Sequence, residues 1–532
     1  MTENKKKNRL IIIFIILFGF ILRVIGLKWG GEDQLFYPDE YNVVNNIKGM
    51  VENGTLIHSN WTYPSMSSSK IITVLLMVVS KIHSLRWIDY YYVTRFSYVL
   101  FSTTIILLSY LIIKKSEGKN IAIVFSLFIA ICPSYVRFAK IVVGDTPVMM
   151  FWLIVALIMD RYISSKRNSD VILMSFFAAC AFMEKWNGAG IAIFIAAGII
   201  YFNIKNIKRL FIHGVISFTT WLVSILIIAP NIIKEFQSML LMLNSANPSP
   251  GSWLLYGQLN YFFAYCGIGT VLLVILGLYS FISQKNEIES EKTSHFSYWV
   301  IIICWLQDWL LCEELVERHG FIIFWGGILF AILGCKYLVS KGKKWKIIGV
   351  SMVVILGTAW LIQSLLADAV AVRTWRHDTR SIGVAYLNSM GATVDNSTGE
   401  YYTPFNPPYT TVEMDIYDIN SIIYLDENEQ PCITVPDKQF VIIGEYSYKD
   451  RTGEGYSIVR DYCINTETIN SNYDISYFGG SSEFLCGKWY YLELDTVRNA
   501  INRLKRVCTC DTIGPWIQVY DISNFTYKPR ED

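Results

Sequence analysis

The sequence predicts a polytopic α-helical membrane protein with about eleven transmembrane helices, followed by an α/β domain outside the cytoplasm. Three observations predict this fold class. The 532 residues are 53% hydrophobic and 17% charged, with a mean hydropathy of +0.36. Apolar runs long enough to cross hydrocarbon roughly 30 Å thick, at about 1.5 Å per residue, recur through the first two thirds of the chain. The third observation is an uneven distribution of charge.

The formal net charge of +2 hides two regions of opposite sign. Residues 1–367 hold 32 of the 46 Lys and Arg and 20 of the 44 Asp and Glu, which gives +12, so residues 368–532 carry −10. A nucleic-acid binder is not expected, because no basic patch lies on a foldable soluble unit. We therefore predict a transmembrane domain over 1–367, with a first outer loop at 28–94, and a soluble α/β domain over 368–532.

The predicted spans are the long apolar runs of the first region. A basic cluster at residues 5–9 precedes the first run, but no small-x-small cleavage site follows it before Leu27, so we expect an uncleaved span. The eleven spans are predicted at 10–27, 95–113, 120–136, 147–163, 171–184, 187–203, 210–230, 252–282, 296–311, 321–338 and 347–367.

The run at 71–80 decides the topology, because it has only about ten apolar residues and is too short to span. If it lies in the interface as a re-entrant or interfacial helix, the basic clusters between later spans all fall on the cytoplasmic side, as the positive-inside rule requires. If it spans, every cluster after the first is inverted. We therefore predict a cytoplasmic N-terminus in the plasma membrane and an extracytoplasmic soluble domain.

The predicted soluble domain contains signals for helices and for strands. Asp378 and Thr379 can cap a helix that runs to Met390 and stops at Gly391. Residues 438–446 and 516–522 have the pattern of strands, and 495–507 has helical spacing. The pairing of an odd number of cysteines is left open for Cys432, Cys463, Cys486, Cys508 and Cys510.

The predicted topology gathers acidic and basic residues on the outer face. Charged groups at a membrane boundary are candidates for function, because leaving them unpaired beside lipid is costly. The alternative is a set of snorkelling or capping side chains. The candidates are Asp39 and Glu40 in the first outer loop, Arg137, Lys140 and Asp145 in the next, Glu184 and Lys185 at a span end, and Arg318 in a later loop.

Such a mixture suits attack by a hydroxyl group on a carbon activated by phosphate. A carboxylate can accept the hydroxyl proton as general base. Guanidinium and ammonium groups can hold the phosphate and stabilise the charge that it gains on departure. The pattern of charges therefore predicts a transfer reaction.

An ordered series of motifs supports this prediction. The motifs are Arg23-x-x-Gly26-Leu27, Pro38-Asp39-Glu40, Arg95-x-Ser97, Pro133 with Arg137 leading to Asp145, Glu184-Lys185, and Arg318. Over most of residues 8–340, this series resembles the GT-C membrane glycosyltransferases, in particular the family of protein O-mannosyltransferases and aminoarabinose lipid A transferases (glycosyltransferase family 39 and relatives).

The resemblance implies a role for each matching residue. It implies that Asp39 is the catalytic Asp of the first outer loop and acts as general base, with Glu40 beside it, and that Asp145 is the second acidic position. It implies donor-phosphate contacts for Arg137, Lys185 and Arg318. Where many relatives have His-Pro-Pro, this chain has Tyr63-Pro64-Ser65, so the acceptor is left open. Trp61, Tyr63 and Trp186 are candidates for contact with sugar or acceptor.

The resemblance implies an inverting glycosyltransferase that moves a sugar from a polyprenyl-phosphate-linked monosaccharide to an extracytoplasmic hydroxyl or amine of a glycan, lipid or protein. No cofactor is implied with certainty, no metal ligands are assigned, and a need for a divalent cation is left open. One alternative is a lipid-linked oligosaccharide transferase, which uses a metal, although no Trp-Trp-Asp motif appears in the tail. Another is a lipid or sugar transporter with Asp308 deep in a span.

The predicted topology can be tested with a reporter. An alkaline phosphatase fused after residue 532 is expected to be active, because this enzyme folds only outside the cytoplasm, whereas a fluorescent reporter that matures only in the cytoplasm is expected to be dark. The opposite pair of results would place the acidic region in the cytoplasm and would overturn the arrangement of the outer loops.

Overall fold

The computed structural model of the protein describes fourteen parts of the chain. They are residues 2–28, 38–57, 66–234, 237, 270–283, 296–300, 302–304, 321–374, 379–391, 397–399, 415–416, 419–444, 453–469 and 517–529. The chain divides into two compact units. One contains Met1–Leu27, Val43–Asp368 and Leu485–Ala500, and the other contains Lys28–Asn42, Ala369–Phe484 and Ile501–Asp532.

The first unit is helical in the part that the structure describes. Two 3-10 turns, Trp186–Ala189 and Phe296–Tyr298, accompany its helices. The helices over residues 2–374, in chain order, are α1 (Thr2–Val24), α2 (Pro38–Glu52), α3 (Ser67–Ser80), α4 (Trp87–Ser116), α5 (Lys119–Ile131), α6 (Pro133–Phe138), α7 (Asp145–Ser165), α8 (Asn168–Glu184), α9 (Gly190–Asn203), α10 (Ile207–Ile228), α11 (Thr270–Ser283), α12 (Phe321–Ser340) and α13 (Lys343–Thr374). The first residues of α2, up to Asn42, and the last residues of α13, from Ala369, are counted with the second unit.

Several of these helices are long and apolar enough to cross a membrane. Within the described residues, α4, α7, α10, α12 and the segment Lys343–Ile362 of α13 meet that criterion. The chain is therefore a multi-pass membrane protein, whereas the count of eleven spans and the orientation of the termini stay predictions. The short apolar run forms α3, whose 14 residues reach about 21 Å, less than the hydrocarbon thickness.

The apolar run at 120–136 is two helices rather than the single predicted span. The chain leaves the helical conformation at Cys132, between α5 and α6, and Pro133 starts α6. Proline has no N–H to donate and its ring clashes with the carbonyl four residues earlier, so the helix breaks just before it. The prediction of one continuous helix was wrong because it weighed hydropathy alone.

The carbonyl groups at the end of α5 find partners on other helices. Arg23 of α1 is fully buried and donates from Nη1 to Ala130 O at 2.8 Å and from Nη2 to Ile129 O at 3.1 Å. Ser364 of α13 donates from Oγ to Ile131 O at 2.7 Å. The last carbonyls of a helix have no partner within the helix. These two side chains therefore supply the donors that water cannot supply here.

Helix packing in the first unit centres on α4, which contacts α1, α5 and α7, while α8 contacts α7 and α10. Elsewhere the backbones of α11 and α12 touch directly. A Cβ atom on Gly277 would lie 1.8 Å from Phe330 O, and one on Gly334 would lie 2.1 Å from Leu273 O. Small residues at such crossings let two helices approach closely in lipid.

The second unit contains helices and two sheets in the described residues. The helices are α14 (Thr379–Ser389), α15 (Ile419–Ile422) and α16 (Glu454–Tyr462), and the strands are β1 (Ser397–Gly399), β2 (Asp415–Ile416), β3 (Ile423–Leu425), β4 (Pro431–Ile433), β5 (Phe440–Gly444), β6 (Ile464–Ile469), β7 (Ile517–Asp521) and β8 (Thr526–Tyr527). One sheet has the order β2-β1-β5-β7-β6 and the other β3-β4-β8. Of the strand pairs, β1 with β2, β1 with β5 and β4 with β8 are parallel, and the others are antiparallel.

The larger sheet is buried on both faces at its centre. On β5, Val441 packs in one cluster with Ile458 and Val459 of α16, whereas Phe440 and Ile442 pack in another, which includes Leu387 of α14. Neighbouring residues of a strand point to opposite faces, which explains the division. This part of the chain therefore has helices on both sides of a sheet.

The elements predicted in this region are found where the sequence patterns place them. The helix predicted between residues 378 and 390 is α14, and Gly391 after it has the left-handed φ of +72° that stops a helix. The strands predicted at 438–446 and 516–522 are β5 and β7. Residues 495–507 lie outside the described residues. The boundary at 367/368 and the extracytoplasmic location stay predictions.

The capping of α5 predicts that Arg23→Leu will be destabilising. The change leaves Ile129 O and Ala130 O without their donors, at about 1–3 kcal/mol for each buried group. We expect the melting temperature of the detergent-purified protein to fall by about 5 °C or more. Arg9→Leu, an exposed position on the same helix, is the matched control and is expected to leave the temperature unchanged. Equal melting temperatures for both variants would contradict the capping role.

Candidate active site

The centre of the candidate site is an ion pair between the ends of α7 and α8. Asp145 is the first residue of α7, and Lys185 follows the last residue of α8 in an extended conformation. Lys185 Nζ lies 2.8 Å from Asp145 Oδ1, and the two side chains are 29% and 5% exposed. A carboxylate at a helix N-terminus is stabilised by the free N–H groups there. The pair therefore places two predicted site residues together.

Close backbone packing holds the two helix ends together. A Cβ atom on Gly144 would lie 2.8 Å from Glu184 O, so only glycine fits between the loop before α7 and the end of α8. On the other side of Lys185, a Cβ atom on Gly188 would lie 2.0 Å from Ala181 O. The 3-10 turn after Lys185 is thus folded tightly against α8.

The carboxylate of Glu184 ties α8 to the start of α3. It is buried and accepts hydrogen bonds from Ser67 Oγ at 2.7 Å, from Ser68 Oγ at 2.8 Å and from the Ser68 backbone N–H. Buried carboxylates need such partners, because an unpaired one is very costly away from water. The short helix α3 therefore supports the site although it carries no candidate catalytic residue.

A second ion pair lies in the loop between α6 and α7. Lys140 Nζ lies 2.5 Å from Asp368 Oδ1 and donates to Ile25 O at 2.7 Å, and both side chains of the pair are nearly fully buried. The pKa of Lys140 lies below its ordinary value, because burial of the ammonium outweighs the attraction of Asp368. The pair fixes the loop that leads into Asp145 against α13.

Two buried arginines add positive charge near this pair. Arg95 donates to Leu27 O at 3.0 Å and lies with its guanidinium carbon 4.3 Å from the centre of the Tyr91 ring. Arg23 and Arg95 both repel the Lys140 ammonium. Three cations therefore share this region with the carboxylate of Asp368, and the excess of positive charge favours binding of an anion.

The other predicted residues are described to different extents. Asp39 and Glu40 stand in the first turn of α2, and Glu40 is buried, whereas the side chain of Asp39 lies outside the described residues. Arg137 lies in α6 with its guanidinium carbon 5.1 Å from the centre of the Phe138 ring. Trp186 begins a 3-10 turn, and its side chain also lies outside the described residues.

Trp61, Tyr63 and Arg318 lie outside the described residues altogether. Their predicted roles, like those of the residues above, stay predictions. Within the part of the chain that the structure describes, no group of three or more His, Cys, Asp or Glu side chains is arranged to hold a metal ion. Cys432 and Cys463 are free thiols there, and the other three cysteines of the tail fall outside it.

Sequence reasoning missed several residues that build the site. Asp368 is the first residue of the predicted soluble domain rather than a predicted site residue, and Ser67 and Ser68 are not among the predicted site residues either. One signal was available, since Asp368 directly follows a long apolar run and an acid there is costly unless it is paired. The serines carried no comparable signal.

Comparisons with known proteins add a family and a fold. The family model described as dolichyl-phosphate-mannose-protein mannosyltransferase matches residues 90–233, which include Arg95, Arg137, Asp145 and Lys185. No curated protein matches the chain.

Among solved structures, the apo oligosaccharyltransferase of Archaeoglobus fulgidus is similar with a TM-score of 0.52 and 10% identity, over 82% of this chain and 69% of that one. Archaeal oligosaccharyltransferase AglB from the same organism, in complex with an inhibitory peptide and a dolichol-phosphate, gives 0.48 and 13%, over 69% of this chain and 56% of that one. ArnT from Cupriavidus metallidurans bound to undecaprenyl phosphate gives 0.45 and 11%, over 72% and 71%.

At these identities the structural likeness shows the fold alone, and the chain spans about 56% of the length of the AglB chain. The family model adds a sequence relationship over the segment that contains the Asp145–Lys185 pair. The chain therefore has the fold of the GT-C membrane glycosyltransferases and resembles the protein O-mannosyltransferase and aminoarabinose lipid A transferase family, as its ordered motifs predict.

Proposed function

We propose that the protein is a membrane glycosyltransferase that moves a sugar from a polyprenyl-phosphate-linked monosaccharide to an acceptor on the extracytoplasmic side of the membrane. The acceptor is a hydroxyl or amine of a glycan, lipid or protein. The observation that carries the proposal is the Asp145–Lys185 pair at adjoining helix ends, inside the segment that matches the mannosyltransferase family model.

In the proposed reaction the acceptor oxygen attacks the anomeric carbon of the donor. The bond between that carbon and the phosphate oxygen breaks, and its electron pair leaves with the phosphate. The acceptor proton passes to Asp39. A single displacement of this kind inverts the anomeric centre, whereas retention needs a carboxylate nucleophile about 5 Å from its partner. The phosphate leaves as a weakly basic anion, so the step needs no strong general acid.

The position of Asp39 suits a general base. Pro38 is the first residue of α2, a favoured position for proline, and Asp39 therefore stands in the first helical turn. Negative charge is stabilised at this end of a helix. A carboxylate at this position is proposed to accept the acceptor proton.

The cations are proposed to bind the donor phosphate. The Lys185 ammonium has three N–H groups and uses one of them on Asp145, so two can bind phosphate oxygens. Asp145 orients the ammonium in this scheme. Arg137 and Arg318 supply guanidinium groups, which bind phosphate through two parallel hydrogen bonds. Trp61, Tyr63 and Trp186 are proposed to contact sugar or acceptor.

The role of Asp39 predicts that Asp39→Asn will lose transfer activity. Removal of a general base is expected to lower kcat by a factor of about 100 or more. The measurement is transfer of labelled sugar by the purified protein in liposomes, from a panel of polyprenyl-phosphate monosaccharides that begins with mannose. Glu52→Gln, at the exposed end of the same helix, is the control and is expected to retain activity. Near wild-type transfer by Asp39→Asn would refute the assignment.

The Asp145–Lys185 pair allows a sharper test with a double variant. Asp145→Asn and Lys185→Gln each remove the ion pair but keep one of its two charges, and each is expected to lower both stability and transfer. The double variant removes both charges, so we expect most of the stability to return while the KM for the lipid donor stays at least about tenfold raised. Recovery of transfer together with stability would mean that the pair is structural only.

A further inference from the structure

A cavity lined by both charged and apolar side chains lies at the far end of α7 from Asp145. It has a volume of about 690 Å³ and opens between the end of α4, the end of α7 and the start of α8. Since α7 has 21 residues, its two ends are about 30 Å apart, close to the thickness of the hydrocarbon. The cavity is therefore separate from the candidate active site, and nothing in the proposed reaction uses it.

Basic side chains dominate the polar part of this cavity. Lys115, Arg161 and Arg167 line it together with one acid, Asp160. Arg161 forms an ion pair with the buried Asp170, which does not line the cavity. Its Nη2 and Nε lie 2.5 Å and 2.6 Å from Asp170 Oδ1. One positive charge remains in excess even when Asp170 is counted. The site therefore favours an anion.

The three cations are held to different degrees. Lys115 Nζ donates to Asp160 O at 2.6 Å and lies 4.0 Å from Asp160 Oδ2. Arg161 binds Asp170 through one edge of its guanidinium group. Arg167 is exposed, and its side chain forms no ion pair with the other described residues. An anion bound here would contact Lys115 and Arg161, which other residues hold in place, and the exposed Arg167, whose side chain can move to contact it.

The wall of the cavity nearer the middle of α7 is apolar. Leu157 and Ile158 line it one turn before Asp160 and Arg161, and both side chains are half-buried. A cavity with cations at the helix ends and aliphatic side chains toward the bilayer matches a molecule with a charged head and a hydrocarbon chain. A free phosphate ion would leave the apolar wall without a partner.

We propose that this cavity binds an anionic phospholipid, with the headgroup phosphate on Lys115, Arg161 and Arg167 and an acyl chain along Leu157 and Ile158. The positive-inside pattern predicts that this end of α7 faces the cytoplasm. Basic pockets between helices on that side bind anionic headgroups. The proposal does not depend on the proposed glycosyl transfer.

The test measures lipid retained by the full-length protein. Purified protein is titrated with phosphatidylglycerol or phosphatidylcholine in detergent, and bound lipid is counted by native mass spectrometry. Arg167→Gln is expected to weaken phosphatidylglycerol binding about fivefold, and Lys115→Gln with Arg167→Gln about twentyfold, at roughly one charge contact each. Phosphatidylcholine binding is expected to be unchanged. Because Arg167 holds no other described side chain, its single variant tests binding without disturbing the fold.

Lys205→Gln is the matched control, since it removes one exposed positive charge from the same predicted side of the membrane but outside the cavity. An equal loss of phosphatidylglycerol in this control and in Arg167→Gln would overturn the proposal, because attraction would then be spread over the surface. Binding of glycerol 3-phosphate as tightly as phosphatidylglycerol would overturn the assignment to a lipid. Undiminished retention by the double variant would exclude the cavity.

Discussion

The end of α5 sets the constraint on which the first unit depends. Pro133 stops the helix while its last carbonyls are still enclosed by other helices, where no water is available to bind them. Arg23 and Ser364 donate to three of those carbonyls. Because Pro133 ends α5, its last carbonyls need hydrogen-bond donors from α1 and α13, and these bonds hold the two helices against α5. The position of α6 and of the loop after it follows from this packing.

The same requirement explains how the candidate site is held. The loop that starts at α6 carries Lys140, whose ion pair with Asp368 reaches α13 again, and it ends at Asp145. Asp145 then binds Lys185. Each charge is matched to a partner on another element, so pairing that avoids unbalanced buried charge also fixes the geometry of the helix ends. Stability and site geometry come from the same contacts.

Within the described residues, apolar runs predict the position of long helices such as α4, α7 and α10, and residue chemistry predicts where some helices stop. The break before Pro133 could have been predicted, because proline acts on its own neighbours. The partners of the buried charges could not. Lys140 and Asp368 are separated by 228 positions, and Glu184 and Ser67 by 117, so only packing brings them together. The motifs identified Asp145 and Lys185 separately, and their contact is a product of the fold.

The pairing of Lys185 bears on how a charged donor can bind. Before the donor binds, a lysine ammonium without a negatively charged neighbour would destabilise the protein, because it would be partly removed from water. The carboxylate of Asp145, 2.8 Å from the Lys185 ammonium, offsets this cost. Because Lys185 remains 29% exposed and Asp145 is 5% exposed, a phosphate can reach the cation without entering the contact between them. The phosphate gains charge as the sugar leaves it, so its attraction to Lys185 increases in the transition state. In the proposed reaction, Asp145 thus lowers the cost of keeping the cation in place, and Lys185 gives its largest stabilisation when the bond breaks.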